Sequence, residues 1–156
     1  MAQGIHDWPV YLRQVHDALT PGGVAQFIEA RLMTYSDDDT LPKGGVLDKY
    51  FENLHSALEI AGITDVNDEL KGMLEDAGFV DVVVEIHKVP VGSWPREKRQ
   101  KEIGKWGMII LSEGFHSYGQ ALFTRLKGMK PEEAKELCQG AYDELRNRAV
   151  HSYFPV

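Results

Sequence analysis

Residues 77–95 read AGFVDVVVEIHKVPVGSWP, from Ala77 to Pro95, and this stretch decides the fold. Gly78 stops a preceding helix, because glycine enters the left-handed backbone region without a Cβ penalty. Phe79 to Val89 is rich in β-branched residues and predicts a strand. Val82, Val84 and Ile86 fall on one face, and Asp81, Val83, Glu85 and His87 on the other. Pro90 and Pro95 then turn the chain out of the strand toward the next helix.

Working outward, Asp7 caps a helix over about Pro9 to Leu19, with Pro9 in the first turn, where a missing N–H costs nothing. Trp8, Leu12, Val15 and Leu19 form its apolar stripe. Thr20-Pro21-Gly22-Gly23 leads into a short strand, Val24 to Glu29. Residues 33–45 read as a polar loop; its run Asp37-Asp38-Asp39 lacks the spaced ligands of a calcium site and reads as solvated charge. Helices are expected over Val46 to Ala61, Asp68 to Ala77 and Pro131 to Arg148. A long helical region runs from Trp94-Pro95 to Lys127, with Gly104, Gly107 and Gly114 as candidate breaks. No repeat or linker interrupts residues 1–156, which read as one domain.

Composition narrows the function classes. Seventeen Lys and Arg against 24 Asp and Glu give a net charge of −7, which a nucleic-acid backbone repels. The basic cluster Arg96 to Lys105 is interrupted by Glu97 and Glu102 and reads as a solvated helix face. The single cysteine, Cys138, excludes an internal disulfide and falls on an apolar helix face. With no signal peptide and no long apolar run, the expectation is a cytoplasmic protein with neither a membrane nor a nucleic-acid partner.

The quoted stretch has company. Asp7-Trp8-Pro9 leading into Ala18-Leu19-Thr20-Pro21-Gly22-Gly23, then SYGQALFTR from Ser117 to Arg125, then His151-Ser152-Tyr153 occur in order. Together these segments resemble the C-terminal half of fungal class I S-adenosylmethionine-dependent methyltransferases, the group that includes the LaeA-like regulators of secondary metabolism. The resemblance implies an α/β fold, a helix-rich remnant of a Rossmann-like sheet. It also implies that the cofactor-binding half lies upstream of the segment beginning at Met1. In the resembled family a final strand, after His-Ser-Tyr, separates the Pro-Gly-Gly strand from the Ala-Gly-Phe strand; here it would begin at Val156. Two strands alone do not make a stable sheet, so completion by homodimerisation is expected.

The residues themselves give no sign of a nucleotide loop. The chain contains no G-x-G, and Gly22-Gly23 and Gly44-Gly45 sit in turn contexts, so no cofactor is expected. In the long helical region, Met108, Leu111, Phe115, Tyr118, Leu122 and Leu126 recur as a core stripe. A second stripe of Trp106, Ile110, Glu113, His116, Ser117, Gln120 and Thr124 mixes apolar and ionisable groups, as a small-molecule pocket does. Glu113 precedes His116 by one turn and could orient its imidazole. The candidate catalytic residues are therefore His116, Glu113 and His55, and the candidate substrate-binding residues Tyr50, Trp94, Trp106 and Gln120. No histidine pair has zinc-helix spacing and no nucleophile elbow occurs.

Retention of the resembled family's substrate side without its cofactor side suggests a small-molecule substrate of polyketide or terpenoid type, cyclised or isomerised without a cofactor. Shape and orientation alone can accelerate such steps. The alternatives are a non-catalytic partner subunit of a methyltransferase or regulatory complex, and a fragment of a complete S-adenosylmethionine-dependent enzyme.

Overall fold

The computed structural model describes residues 4–63 and 65–156; Met1, where the resemblance begins, lies outside them. In chain order the elements are α1 (Trp8–Ala18), α2 (Val46–Ile60), α3 (Leu70–Asp76), β1 (Lys88–Val91), α4 (Lys98–Gly114), α5 (Gln120–Arg125), α6 (Pro131–Arg146) and β2 (Ser152–Pro155). The fold is α/β and dominated by helices, as expected. The Asp7 carboxylate accepts the Val10 N–H at 2.9 Å, so α1 begins at its predicted cap. Gly62 and Gly78 follow α2 and α3 with φ of 72° and 103°, the backbone that the sequence required of them.

The long helical region is continuous. A five-residue π-turn, Phe115–Gly119, joins α4 to α5, so the register slips just after Gly114 and the helix does not break. Gly104 has a different purpose. A Cβ there would lie 1.9 Å from the Gly92 carbonyl oxygen, and the Gly92 N–H donates to the Gly104 carbonyl at 3.0 Å. The glycine lets α4 press directly on the corner that follows β1. Gly119 does the same inside the core: a Cβ there would meet Cys138 Sγ at 2.7 Å and the Tyr50 ring at 2.8 Å.

The main core is an aromatic cluster between α2, the π-turn, α5 and α6. The Tyr50 ring meets Phe115 edge-on with centroids 4.4 Å apart, and also contacts Phe51 and Phe123. Leu47, Leu54, Cys138, Ala141 and Leu145 complete the packing. Burying each such ring contributes about 1.5–3 kcal/mol, which is how helices stabilise a chain with so little sheet. A second, smaller cluster joins Trp8 and Leu12 of α1 to Val66, with Met73 and Leu74 of α3 packed against it.

Two strand expectations are corrected. Val24 to Glu29 forms no strand, and of Phe79 to Val89 only the last two residues belong to β1. Val24 is 87% exposed, Val80 83% and Ile86 66%, with Ile28, Val83 and Val84 similarly open. These side chains have strand propensity and no sheet to use it on. The strand expected to begin at Val156 forms earlier, at Ser152–Pro155, antiparallel to β1. Pairing extends to His87, whose N–H donates to Val156 O at 2.7 Å. On its other edge β2 is bridged by Tyr35 and Tyr153, and Arg31 N–H donates to Pro155 O at 3.0 Å. β2 therefore lies between the segment leading from Pro-Gly-Gly and the strand after Ala-Gly-Phe, in the order the resemblance implied.

Candidate functional site

Three separate segments meet where β2 begins: the 34–40 loop, the corner holding Trp94, and His151. Trp94 Nε1 donates to Ser152 O at 3.0 Å, fixing the indole so that its face stacks on the His151 ring with centroids 5.2 Å apart and planes 29° from parallel. The His151 backbone N–H donates to Thr40 Oγ1 at 2.8 Å. His151 Nδ1 lies 2.5 Å from Asp38 Oδ2. The ring is thus held at its backbone, at one nitrogen and on one face.

Asp38 is itself locally saturated. It accepts from Thr40 Oγ1 at 2.7 Å, Ser36 Oγ at 2.8 Å and Thr40 N–H at 3.3 Å. The Thr40 hydroxyl, His151 and the Ser36 hydroxyl hold its carboxyl far below the usual carboxylate range. An ionised carboxylate only accepts, so Nδ1 carries the proton and Nε2 of the neutral ring is left as an acceptor. Among the described residues Nε2 has no partner, and the side chain is 37% exposed.

Asp37 anchors the loop to both strands. It accepts from Lys88 Nζ of β1 at 2.6 Å and from the Tyr153 hydroxyl of β2 at 2.8 Å. Lys88, then Tyr153, holds its carboxyl below the ordinary value. Tyr153 also stacks on Tyr35 and lies under Lys88 Nζ, 4.7 Å from its ring centroid. The aspartate run that reads as solvated charge in the sequence is thus divided: Asp37 pins the loop and Asp38 orients a histidine. Contacts across 51, 113 and 116 residues reveal this.

The residues expected from sequence are dispersed. Trp94 belongs to the cluster just described. Tyr50 is a core ring, its hydroxyl 3.4 Å from Phe115 O, and burial pushes its phenol above the usual range. His55 Nε2 is 3.0 Å from Leu32 O. His116, half-buried inside the π-turn, has its Nδ1 3.4 Å from Gln120 Nε2, while Glu113 is exposed and Trp106 is 64% exposed. The space between α2 and the long helix, where a pocket would be needed, is filled by Tyr50, Phe115 and Phe123. Two surface concavities measure about 160 and 170 Å³, below the roughly 300–1,000 Å³ of ordinary ligand pockets.

S-adenosylmethionine, the cofactor implied by the resemblance, does not fit the described residues. The amides after Gly44-Gly45 are occupied: Val46 and Leu47 N–H both point to Glu144 Oε2, at 2.8 and 3.4 Å, and Gly44 N–H donates to Asp48 at 2.6 Å. Gly23 N–H closes a turn on Thr20 O at 2.8 Å. Neither glycine pair lies between a strand and an immediately following helix, where a nucleotide loop would aim its donors. No cluster of His, Cys, Asp and Glu among the described residues could hold a metal ion.

Comparison with known proteins agrees with the resemblance. The chain is 34% identical to the methyltransferase pytC of Aspergillus terreus over 155 residues, covering 99% of this chain and 48% of that protein. It is 30% identical to the secondary metabolism regulator LAE1 of Cochliobolus heterostrophus, covering 96% and 50%. The chain is a relative of the fungal LaeA-type methyltransferases. The probable methyltransferase tdiE of Emericella nidulans is 27% identical over 151 residues. The chain spans about half the length of these LaeA-type relatives, consistent with the C-terminal half of such a protein. No protein-family profile and no solved structure matches it. No helix among the described residues is long and apolar enough to cross a membrane.

Proposed function

We propose that the chain forms the substrate-side portion of a LaeA-type, S-adenosylmethionine-dependent methyltransferase of fungal secondary metabolism, with the cofactor held by polypeptide packed along its open strands. The observation that carries this reading is the exposure of Val24, Ile28, Val80, Val83, Val84 and Ile86 on two extended, unpaired segments. Such residues favour a sheet, and a neighbouring strand would cover both backbone and side chains. The match of nearly the whole chain to half of a methyltransferase supplies a polypeptide of suitable length.

The cofactor-independent cyclisation expected from sequence draws no support from the relatives, which are named as methyltransferases and regulators. A homodimer would cover the same open segments, and it is the second occupant to test. Co-expression of this chain with the unmatched half of the pytC methyltransferase is the direct experiment. A stoichiometric complex that binds S-adenosylmethionine supports the proposal. A chain that remains alone and unchanged by the added half refutes it.

A further inference from the structure

We propose that His151 is the proton acceptor for a phenolic or enolic hydroxyl of a small-molecule substrate, presented by Asp38 and Trp94 with its Nε2 free. The inference rests on the methyltransferase reading, in which a deprotonated substrate atom is the nucleophile. In the step, the substrate O–H bond breaks, the proton goes to Nε2, and its electron pair stays on oxygen as a phenolate or enolate. The resulting imidazolium lies against the Asp38 carboxylate, so the new charge is balanced as it forms.

The geometry separates His151 from the other histidines. His16 and His87 reach carboxylates only at 3.4 Å, and His55 uses its Nε2 against a backbone carbonyl. His116 has a long contact to an amide. His151 combines a short Nδ1 contact, a stacked indole and a backbone anchor with an open Nε2 edge. The loop does not need the imidazole for its order, because Ser36 and Thr40 already donate to Asp38, and Asp37 ties the loop to both strands. The substrate class follows from acid strength. An ordinary imidazole titrates near 6.5 and a phenol near 10, a gap that a positioned base can bridge; an alkyl alcohol is a far weaker acid.

The probe is 3-nitrophenol, a weaker acid than its 4-nitro isomer, whose phenolate absorbs visible light and whose phenol does not. It is titrated into the isolated chain at about pH 7.5, roughly one unit above the ordinary imidazole value, where the ring is neutral and most of the free probe is still protonated. The expected result is a saturable phenolate band that disappears in His151→Gln and weakens at least severalfold in Asp38→Asn. Two-bond proton–nitrogen correlation on the labelled wild-type chain gives the same test without a variant. It should show a histidine protonated at Nδ1 alone that gains a proton at Nε2 as the band grows. An absent band, a band undiminished in folded His151→Gln, or a histidine spectrum that ignores the probe overturns the inference. Methyl transfer by the co-expressed complex reports separately on the parent reading. Transfer that survives His151→Gln removes this inference alone, whereas no transfer despite an intact band removes the parent reading alone.

Discussion

Gly104→Ala should destabilise the chain although alanine is the better helix former. The added Cβ would sit 1.9 Å from Gly92 O and 3.0 Å from Gly92 C, where ordinary contact begins near 3.4 Å. Both sides are backbone, so α4 and the corner must part by roughly 1.5 Å. Overpacking of this kind costs about 1–3 kcal/mol, and stretching the Gly92-to-Gly104 hydrogen bond adds about 0.5–1.5 kcal/mol. The gain in helix propensity returns about 1 kcal/mol. The net loss is about 2 kcal/mol, which in a chain of this size lowers the melting temperature by about 4–8 °C. Gly114→Ala is the control, because nothing lies within 4 Å of its Cβ and its φ of −60° is helical. That variant should hold or raise stability by up to about 1 kcal/mol. Thermal melts followed by circular dichroism compare the two. If Gly104→Ala melts at or above wild type, the close approach of α4 to the corner is wrong, and with it the seating of Trp94.

Four further outcomes are expected. Cys138 should resist iodoacetamide at neutral pH until the chain unfolds, because burial pushes its thiol up to about 11; labelling as fast as free cysteine would place it outside the core. Asp38, with a depressed folded-state pKa, contributes stability that is present above the unfolded carboxylate value of about 3.9 and lost as pH falls through the folded value. Urea melts should therefore weaken below about pH 4 in wild type and less steeply in Asp38→Asn; parallel slopes would contradict the hydrogen-bond set. Calorimetric titration should find no tight S-adenosylmethionine binding by the isolated chain, since neither glycine pair forms a strand-to-helix nucleotide loop; low-micromolar binding with defined stoichiometry would reveal a different cofactor site. Pairing of two copies through the open segments would give a light-scattering mass above that of one chain, and Ile86→Lys should lower it, as charge on an open segment blocks edge pairing; a mass above that of one chain left unchanged by the substitution would show that this segment is not the contact.

Local signals were legible where one residue decides the outcome. Asp7, Gly62, Gly78 and Pro131 set helix ends within two residues of expectation, because caps and stops act through neighbouring backbone. The strands were overread. Val80 to Ile86 carry the right side chains, but a strand exists only when a partner's backbone accepts its hydrogen bonds, and the described chain supplies none there. Gly104 looks like a helix breaker in sequence and is a contact point in space, as is Gly119. The site was harder still. Trp94 and the His-Ser-Tyr segment drew notice, whereas Asp38 read as solvated charge, because its role depends on a histidine 113 residues away.

That separation has a consequence for how the molecule is made. Arg31, Tyr35, Asp37, Asp38 and Thr40 are synthesised more than a hundred residues before their strand and histidine partners, Ser152 to Pro155 and His151. Until then Tyr35, Val89 and Phe154's neighbours in the core have no closing strand, while the helical core of α2 and α4 to α6 can already condense through nearer contacts. The dyad should therefore be the slowest feature to mature, waiting on closure of a loop more than a hundred residues long. A chain truncated just after α6 would collapse without the site and leave its sheet-forming residues open to aggregation.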